Sequence, residues 1–154
     1  MNTRLEDLTP ATQAAARAAL ALLDLRMVPH VVTSTLRSAA EQAALYAQGR
    51  EPLLAVNARR EAVGWEHIGA AENSGTVTNC DGRKIAEGGK GRSPHQLGTA
   101  LDVVPANNIG NPAWAGASDP RWKTIAAAFK ANGFEWGGDW DGWKDLPHYQ
   151  LKEV

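Results

Sequence analysis

The order of helix-like and strand-like segments most constrains the fold of this chain. Alanine and leucine dominate residues 10–25, where Pro10 suits the first position of a helix. Ser38 can cap a second helix near 38–49, and a third is predicted near 120–132. Short strands separate these helices without regular β-α-β alternation. The order therefore predicts an α+β fold with a small antiparallel sheet and surrounding helices.

Three segments have the composition of strands. Residues 27–35 are rich in β-branched side chains and predict a buried strand, and TALDVV (99–104) and HYQL (148–151) predict two more. Residues 52–64 are compatible with a short helix, whereas the glycine- and tryptophan-rich stretch 134–147 is typical of a loop.

Length and charge bound the organisation and the partners of the protein. The 154 residues contain no internal repeat or low-complexity linker, so we expect one catalytic domain over 1–154 and a monomer. The formal net charge of −1 argues against a nucleic-acid-binding protein, which is usually strongly basic. It also provides no general attraction to anionic membranes, so no stable membrane association is expected.

The sequence has few signals for export or oxidation. The N-terminal segment MNTRLEDLTP lacks the apolar run of a signal peptide, and no segment approaches the roughly 18 apolar residues of a membrane helix. A single cysteine, Cys80, excludes an intramolecular disulfide and is expected to be an inert thiol. We expect a protein kept in the cytoplasm, which needs another component for its release if it acts outside.

The segment SPHQLGTALDVV combines a histidine with an aspartate in a strand. Alternation along TALDVV directs Leu101 and Val103 to the core and Asp102 to the opposite face. His95 lies an odd number of residues before Asp102, so a straight strand would place the two on opposite faces. A bend at Gly98 would let them converge.

The segment DLPHYQL supplies further polar groups near the C-terminus. Pro147 suits the start of a strand, and His148 follows it. If this strand pairs beside Asp102, two histidines and a carboxylate come together, a set that binds catalytic Zn²⁺ and leaves a position for water. Asp145 precedes His148 by three residues and could take a proton from that water and pass it to a leaving amine.

Four blocks of the sequence, between about Val31 and Gln150, resemble one enzyme family. They are TSTLRSAAEQAALYAQGR, the pattern S-x-H-x-x-G-x-A-x-D in 93–102, EWGGDW, and D-x-P-H in 145–148. Together they resemble the zinc peptidases of bacterial cell-wall peptides. This family includes D-alanyl-D-alanine carboxypeptidases of the VanY type and phage L-alanyl-D-glutamate endopeptidases.

The resemblance implies a hedgehog/DD-peptidase-like zinc peptidase fold and assigns a role to each matching residue. It implies that zinc is bound by His95, Asp102 and His148. It also implies that Asp145 is the catalytic base and that Arg37 contacts the scissile carbonyl oxygen, where a cation stabilises a developing negative charge.

Two more residues are candidates for substrate binding. Ser93 matches a family residue that lines the substrate pocket. Trp140, flanked by aspartates, is a candidate for the wall of a cleft, whereas Trp136 is expected in the core. The segment 51–76 is longer than the corresponding link in the family, and HQLG replaces the commoner HNYG, so substrate specificity does not transfer directly.

Three functions remain open at this point. The first is a zinc endopeptidase that cuts peptidoglycan stem peptides, with the L-alanyl-D-glutamate bond as the expected target, acting as a phage endolysin that passes from the host cytoplasm to the wall. The second is a D-alanyl-D-alanine carboxypeptidase or dipeptidase, which needs a cationic pocket for a free carboxylate. The third is a zinc-stabilised, non-catalytic wall-binding module. Cations available for the second function are Arg50, Arg83, Lys90 and Arg92.

Overall fold

A computed structural model describes residues 1–82 and 92–152 of the chain. The helices in these residues are α1 (Pro10–Leu25), α2 (Ala39–Ala47), α3 (Leu53–Ala62) and α4 (Arg121–Lys130). The strands are β1 (His30–Ser34), β2 (Ala100–Pro105), β3 (Phe134–Trp136) and β4 (His148–Leu151).

The chain divides into two compact units. One consists of Met1–Leu36 and Leu97–Val154, and the other of Arg37–Gln96. The expectation of one catalytic domain over 1–154 stays a prediction. No helix in the described part of the chain is long and apolar enough to cross a membrane.

The first unit contains the whole sheet, whose strands run antiparallel in the order β1-β2-β4-β3. Helices α1 and α4 pack against each other, and α4 also contacts β2 and β3. Between them lies a continuous apolar core in which the ring of Phe129 stacks on Tyr149, with 4.3 Å between centroids. The predicted α+β class, with a small antiparallel sheet and helices around it, is confirmed.

Helix-capping residues in the sequence predicted the helix bounds to within two residues. The Thr9 side chain accepts a hydrogen bond from the backbone of Thr12, and α1 has the predicted bounds. Ser38 and Glu41 form a reciprocal capping box at the start of α2, which satisfies backbone donors that a helix start leaves open. Helices α2 and α4 end two residues before their predicted limits.

Two expectations for the strands need correction. Strand β1 is mostly half-buried rather than buried, because it lies at an edge of the sheet. Residues 134–136, expected in a loop, form β3 at the other edge, with Phe134 and Trp136 buried and Glu135 exposed. In β2, Leu101 and Val103 are buried as predicted, and Ala100 and Val104 on the opposite face are buried as well.

The second unit contains α2, α3 and the long segment 51–76. Buried Gln42 donates hydrogen bonds to the Thr78 hydroxyl and to the Cys80 carbonyl. The Asn57 side chain donates a hydrogen bond to the Ile68 carbonyl and accepts one from the Ile68 backbone N–H. Side-chain amides thus satisfy backbone groups in this unit, at Ile68 within the segment 51–76 and at Cys80 after it.

Candidate metal centre and active site

The two inner strands place Asp102 and His148 opposite each other. They are cross-strand partners in the antiparallel β2–β4 ladder, as predicted. The backbone of Val103 donates to Pro147, and that of Leu151 donates to Thr99, so the intervening Asp102–His148 pair is of the non-hydrogen-bonded type. Side chains approach most closely in such pairs. The Asp102 Oδ1 and the His148 Nδ1 lie 3.5 Å apart.

A tight turn positions His95 ahead of β2. His95 lies on the 3₁₀ turn Pro94–Leu97, is buried, and its backbone N–H donates to the Ser93 hydroxyl. Gly98 follows with a φ of +68°. A side chain at Gly98 would be strained and would also approach the backbone nitrogen of Thr9 to 3.2 Å. The bend predicted at Gly98 is therefore confirmed.

These three side chains form a group that could hold a metal ion. One potential ligand atom from each of His95, Asp102 and His148 lies within 4.8 Å of the other two. Within residues 1–82 and 92–152, no other group of three or more such side chains is found. Two buried histidines and one carboxylate are the donor types that Zn²⁺ takes at catalytic centres, so the residues present fit zinc.

The surroundings of His148 favour positive charge at this point. Burial by itself lowers the pKa of the ring, but Asp102 and Asp145 outweigh that effect, so the pKa of His148 is raised above its ordinary value. The negative charges that favour a proton on the His148 ring also favour a metal cation, which displaces the proton when it binds.

The WGG sequence explains how Asp145 is held. The Asp145 backbone N–H donates to the Gly137 carbonyl over 3.1 Å, and the Trp136 indole donates to the Leu146 carbonyl over 2.7 Å. An added Cβ at Gly137 would collide with the Asp145 carbonyl oxygen and lie 3.0 Å from its Cβ. Asp145 lies outside the three-residue ligand group, yet its charge acts on His148.

An irregularity in β1 lies directly beside Asp102. The register between β1 and β2 shifts between Val32 and Ser34, which makes Thr33 an extra residue. Ser34 is then paired with Asp102 and is buried. Such bulges are frequent next to active sites, where they change the direction of a side chain.

Sequence comparison agrees with this arrangement. Residues 87–151 match a family model described as D-alanyl-D-alanine carboxypeptidase. These residues resemble a peptidase domain of the M15 family. The match includes the three candidate metal ligands and Asp145, and the resemblance inferred from the four motifs is confirmed.

Two curated proteins are similar to this chain in sequence. The L-alanyl-D-glutamate peptidase of Listeria phage A118 is 44% identical over 60 residues, which is 39% of this chain but only 21% of the phage protein. The chain therefore matches about one fifth of that relative. The peptidoglycan L-alanyl-D-glutamate endopeptidase CwlK of Bacillus subtilis (strain 168) is 29% identical over 153 residues, covering 94% of this chain and 74% of CwlK.

Solved structures share the fold of this chain. The L-Ala D-Glu endopeptidase ChiX of Serratia marcescens superimposes with a TM-score of 0.55 at 25% identity, covering 96% of this chain and 83% of ChiX. The vancomycin-resistance D,D-pentapeptidase VanY, in complex with Zn(II), gives a TM-score of 0.57 at 15% identity over 94% of this chain and 72% of its own.

The predicted oxyanion residue Arg37 lies before residues 87–151, outside the family match. It is partly buried, its backbone N–H donates to the His95 carbonyl, and its guanidinium lies 3.5 Å from the Gln42 Oε1. Its contact with substrate stays a prediction.

The two predicted substrate-binding residues have different surroundings. Ser93 is buried, and its hydroxyl accepts from the His95 backbone, which is a structural role inside the turn. Trp140 is partly exposed, and its ring lies 5.2 Å from the ring of His148. Trp140 is therefore next to the candidate centre, whereas Trp136 is in the core as predicted.

The cations suggested for a carboxylate pocket are only partly described. Arg83 and Lys90 lie outside the described residues. Arg50 bonds the carbonyls of Tyr46 and Thr78 and stacks on the Tyr46 ring, so its guanidinium already has partners in its own unit.

Sequence reasoning missed the residues on the Nε2 side of the His148 ring. The Gln150 Oε1 lies 3.1 Å from the His148 Nε2, and the Gln150 amide nitrogen donates to Glu135 over 3.2 Å. A signal was present in the sequence, because residues two apart in a strand share a face and Gln150 follows His148 at that spacing.

Proposed function

We propose that this protein is a zinc-dependent endopeptidase that cleaves the L-alanyl-D-glutamate bond of peptidoglycan stem peptides. The observation that carries the proposal is the group formed by His95, Asp102 and His148, with Asp145 acting on the same histidine from outside the group. The relatives from Listeria phage A118 and Bacillus subtilis, and ChiX from Serratia marcescens, are named for that bond.

The proposed mechanism assigns one task to each residue. His95, Asp102 and His148 would hold Zn²⁺, which would supply Lewis-acid chemistry to water and to the scissile carbonyl. Asp145 accepts a proton from the attacking water and transfers it to the leaving amine. Arg37 stabilises the negative charge that develops on the carbonyl oxygen. Ser93 and Trp140 contact the substrate.

The direct test is digestion of purified peptidoglycan, with and without a chelator, followed by mass spectrometry of the products. We expect new N-terminal D-glutamate ends and release of peptide from glycan, lost in chelator and restored by Zn²⁺. Full activity in chelator would contradict the role of zinc, and intact stem peptides would contradict the proposed bond.

The description of the matching family favours a second candidate, a D-alanyl-D-alanine carboxypeptidase. The same digest separates the two activities, because a carboxypeptidase removes only the terminal alanine and leaves the peptide on the glycan. If neither product appears although zinc is bound, the third possibility, a non-catalytic wall-binding module, is supported.

We also propose that the protein acts in host lysis as a phage endolysin. The relative from Listeria phage A118 and the peptidoglycan substrate of the relatives support this role. Expression in a bacterial host, with and without a pore-forming holin, tests it. We expect lysis only with the pore, and unchanged growth in both cultures would contradict an endolysin.

A further inference from the structure

A chain of two hydrogen bonds runs from the edge of the sheet to the ring of His148. Glu135 on β3 and Gln150 on β4 are cross-strand partners, and Gln150 shares a face of β4 with His148. The Gln150 amide nitrogen lies 3.2 Å from the Glu135 Oε2, and the Gln150 Oε1 lies 3.1 Å from the His148 Nε2.

The chemistry of the three groups fixes the direction of both bonds. The exposed carboxylate of Glu135 can only accept, so the Gln150 side chain turns its NH₂ group toward it. The amide oxygen of Gln150 then faces His148, and an oxygen can only accept. This bond therefore needs a hydrogen on the His148 Nε2, and a neutral ring that carries it there keeps its lone pair on Nδ1.

Nδ1 is the ring atom that faces the candidate centre. It lies 3.5 Å from the Asp102 Oδ1, whereas Nε2 points to Gln150. We propose that Gln150 and Glu135 are positioning residues, which hold His148 in the tautomer and ring orientation that present Nδ1 to the metal. This inference rests on the metal site of the proposed function.

Loss of such an outer partner typically weakens metal binding about 10- to 100-fold. We therefore expect Gln150→Met, which keeps side-chain length but has no amide, to lower zinc affinity by about that factor. Glu135→Ala removes an exposed carboxylate and should give a smaller loss, because Gln150 can then rotate its amide. Glu66→Ala is the matched control, an exposed glutamate in the other unit, and should leave zinc affinity unchanged.

Zinc affinity is measured by competition with a chromophoric chelator on the full chain. Nitrogen-15 NMR of the metal-free protein at alkaline pH gives a second readout, since the ring nitrogens of His148 report its tautomer. Asp102 favours a hydrogen on Nδ1 in both proteins, but only the unaltered protein has the amide oxygen that favours one on Nε2. We therefore expect a larger fraction of the Nε2–H form in the unaltered protein than in Gln150→Met. This measurement needs neither zinc nor substrate.

An affinity of Gln150→Met within about twofold of the unaltered protein overturns the proposal, since an outer partner should contribute more. An unchanged tautomer overturns it as well. If Gln150→Met does not fold, Glu135→Ala supplies the same two readouts from an exposed position. His148→Ala keeps the two failures apart. If His148→Ala binds zinc fully, the metal site itself is contradicted. If His148→Ala loses zinc and Gln150→Met binds it normally, only the positioning role is contradicted.

Discussion

Asp102 and His148 face each other across the two inner strands of the sheet, with 3.5 Å between the Asp102 Oδ1 and the His148 Nδ1. Because both residues are fixed by backbone pairing, two of the three candidate ligands are brought together by the fold itself. His95 joins them from the turn that precedes β2.

Replacement of His148 by alanine should abolish zinc binding. Two remaining side chains supply too few ligands for the usual three-residue catalytic site. Metal analysis of the purified variant gives the stoichiometry. His67→Ala is the control, because His67 is exposed and lies outside the ligand group. Zinc at full stoichiometry in His148→Ala would show that the ligand assignment is wrong.

Asp145→Asn should separate catalysis from metal binding. The amide has nearly the same shape but cannot accept the proton, and loss of a general base typically lowers the rate about 10²- to 10⁴-fold. We expect a folded, zinc-containing protein with almost no activity on purified wall. Near-normal lysis would exclude Asp145 as the base, and loss of zinc would make it a ligand.

Gly137→Ala should reduce activity through the backbone of Asp145. The added methyl group would collide with the Asp145 carbonyl and move the proposed base. We expect a clear loss of wall hydrolysis and a lower melting temperature. Gly116→Ala is the matched control, since a Cβ at Gly116 meets no atom within 4 Å. Equal activity in both variants would contradict the positional role of Gly137.

Tyr149→Phe should leave the melting temperature unchanged or raise it. The Tyr149 hydroxyl is buried and has no hydrogen-bond partner within residues 1–82 and 92–152, and an unpaired buried polar group costs roughly 1–3 kcal/mol. Phenylalanine keeps the stack on Phe129. Differential scanning calorimetry of the two proteins measures the change, and a drop of several degrees would indicate a partner for the hydroxyl.

Cys80 should react slowly with iodoacetamide. Burial, together with the nearby charge of Asp81, raises the pKa of its thiol, so less thiolate is present at a given pH than in a free cysteine. The alkylation rate should therefore rise only at higher pH. Asp81→Asn should shift the rate profile to lower pH. A profile equal to that of free cysteine would contradict the raised pKa.

Signals local in sequence predicted much of the fold. Pro10 and Ser38 marked the starts of two helices, and the bend at Gly98 followed from the odd spacing of His95 and Asp102. Strand β3 was missed because its three residues are followed by a glycine- and tryptophan-rich stretch.

The candidate site depends on strand pairing, which local sequence patterns do not predict. Asp102 and His148 could be predicted to lie side by side only if two strands distant in sequence pair with each other. The family motifs supported that pairing. The contact of Glu135 with Gln150 depends on the register of β3, a strand that was not predicted, so this hydrogen bond could not be foreseen.

The strand order has a consequence for metal exchange. Asp102 and His148 lie on the inner strands, whose amide hydrogens should exchange with solvent more slowly than those of the edge strands β1 and β3. His95 instead lies on a single turn of 3₁₀ helix. If the three side chains hold zinc, we therefore expect the contact with His95 to open more readily than the contacts with Asp102 and His148.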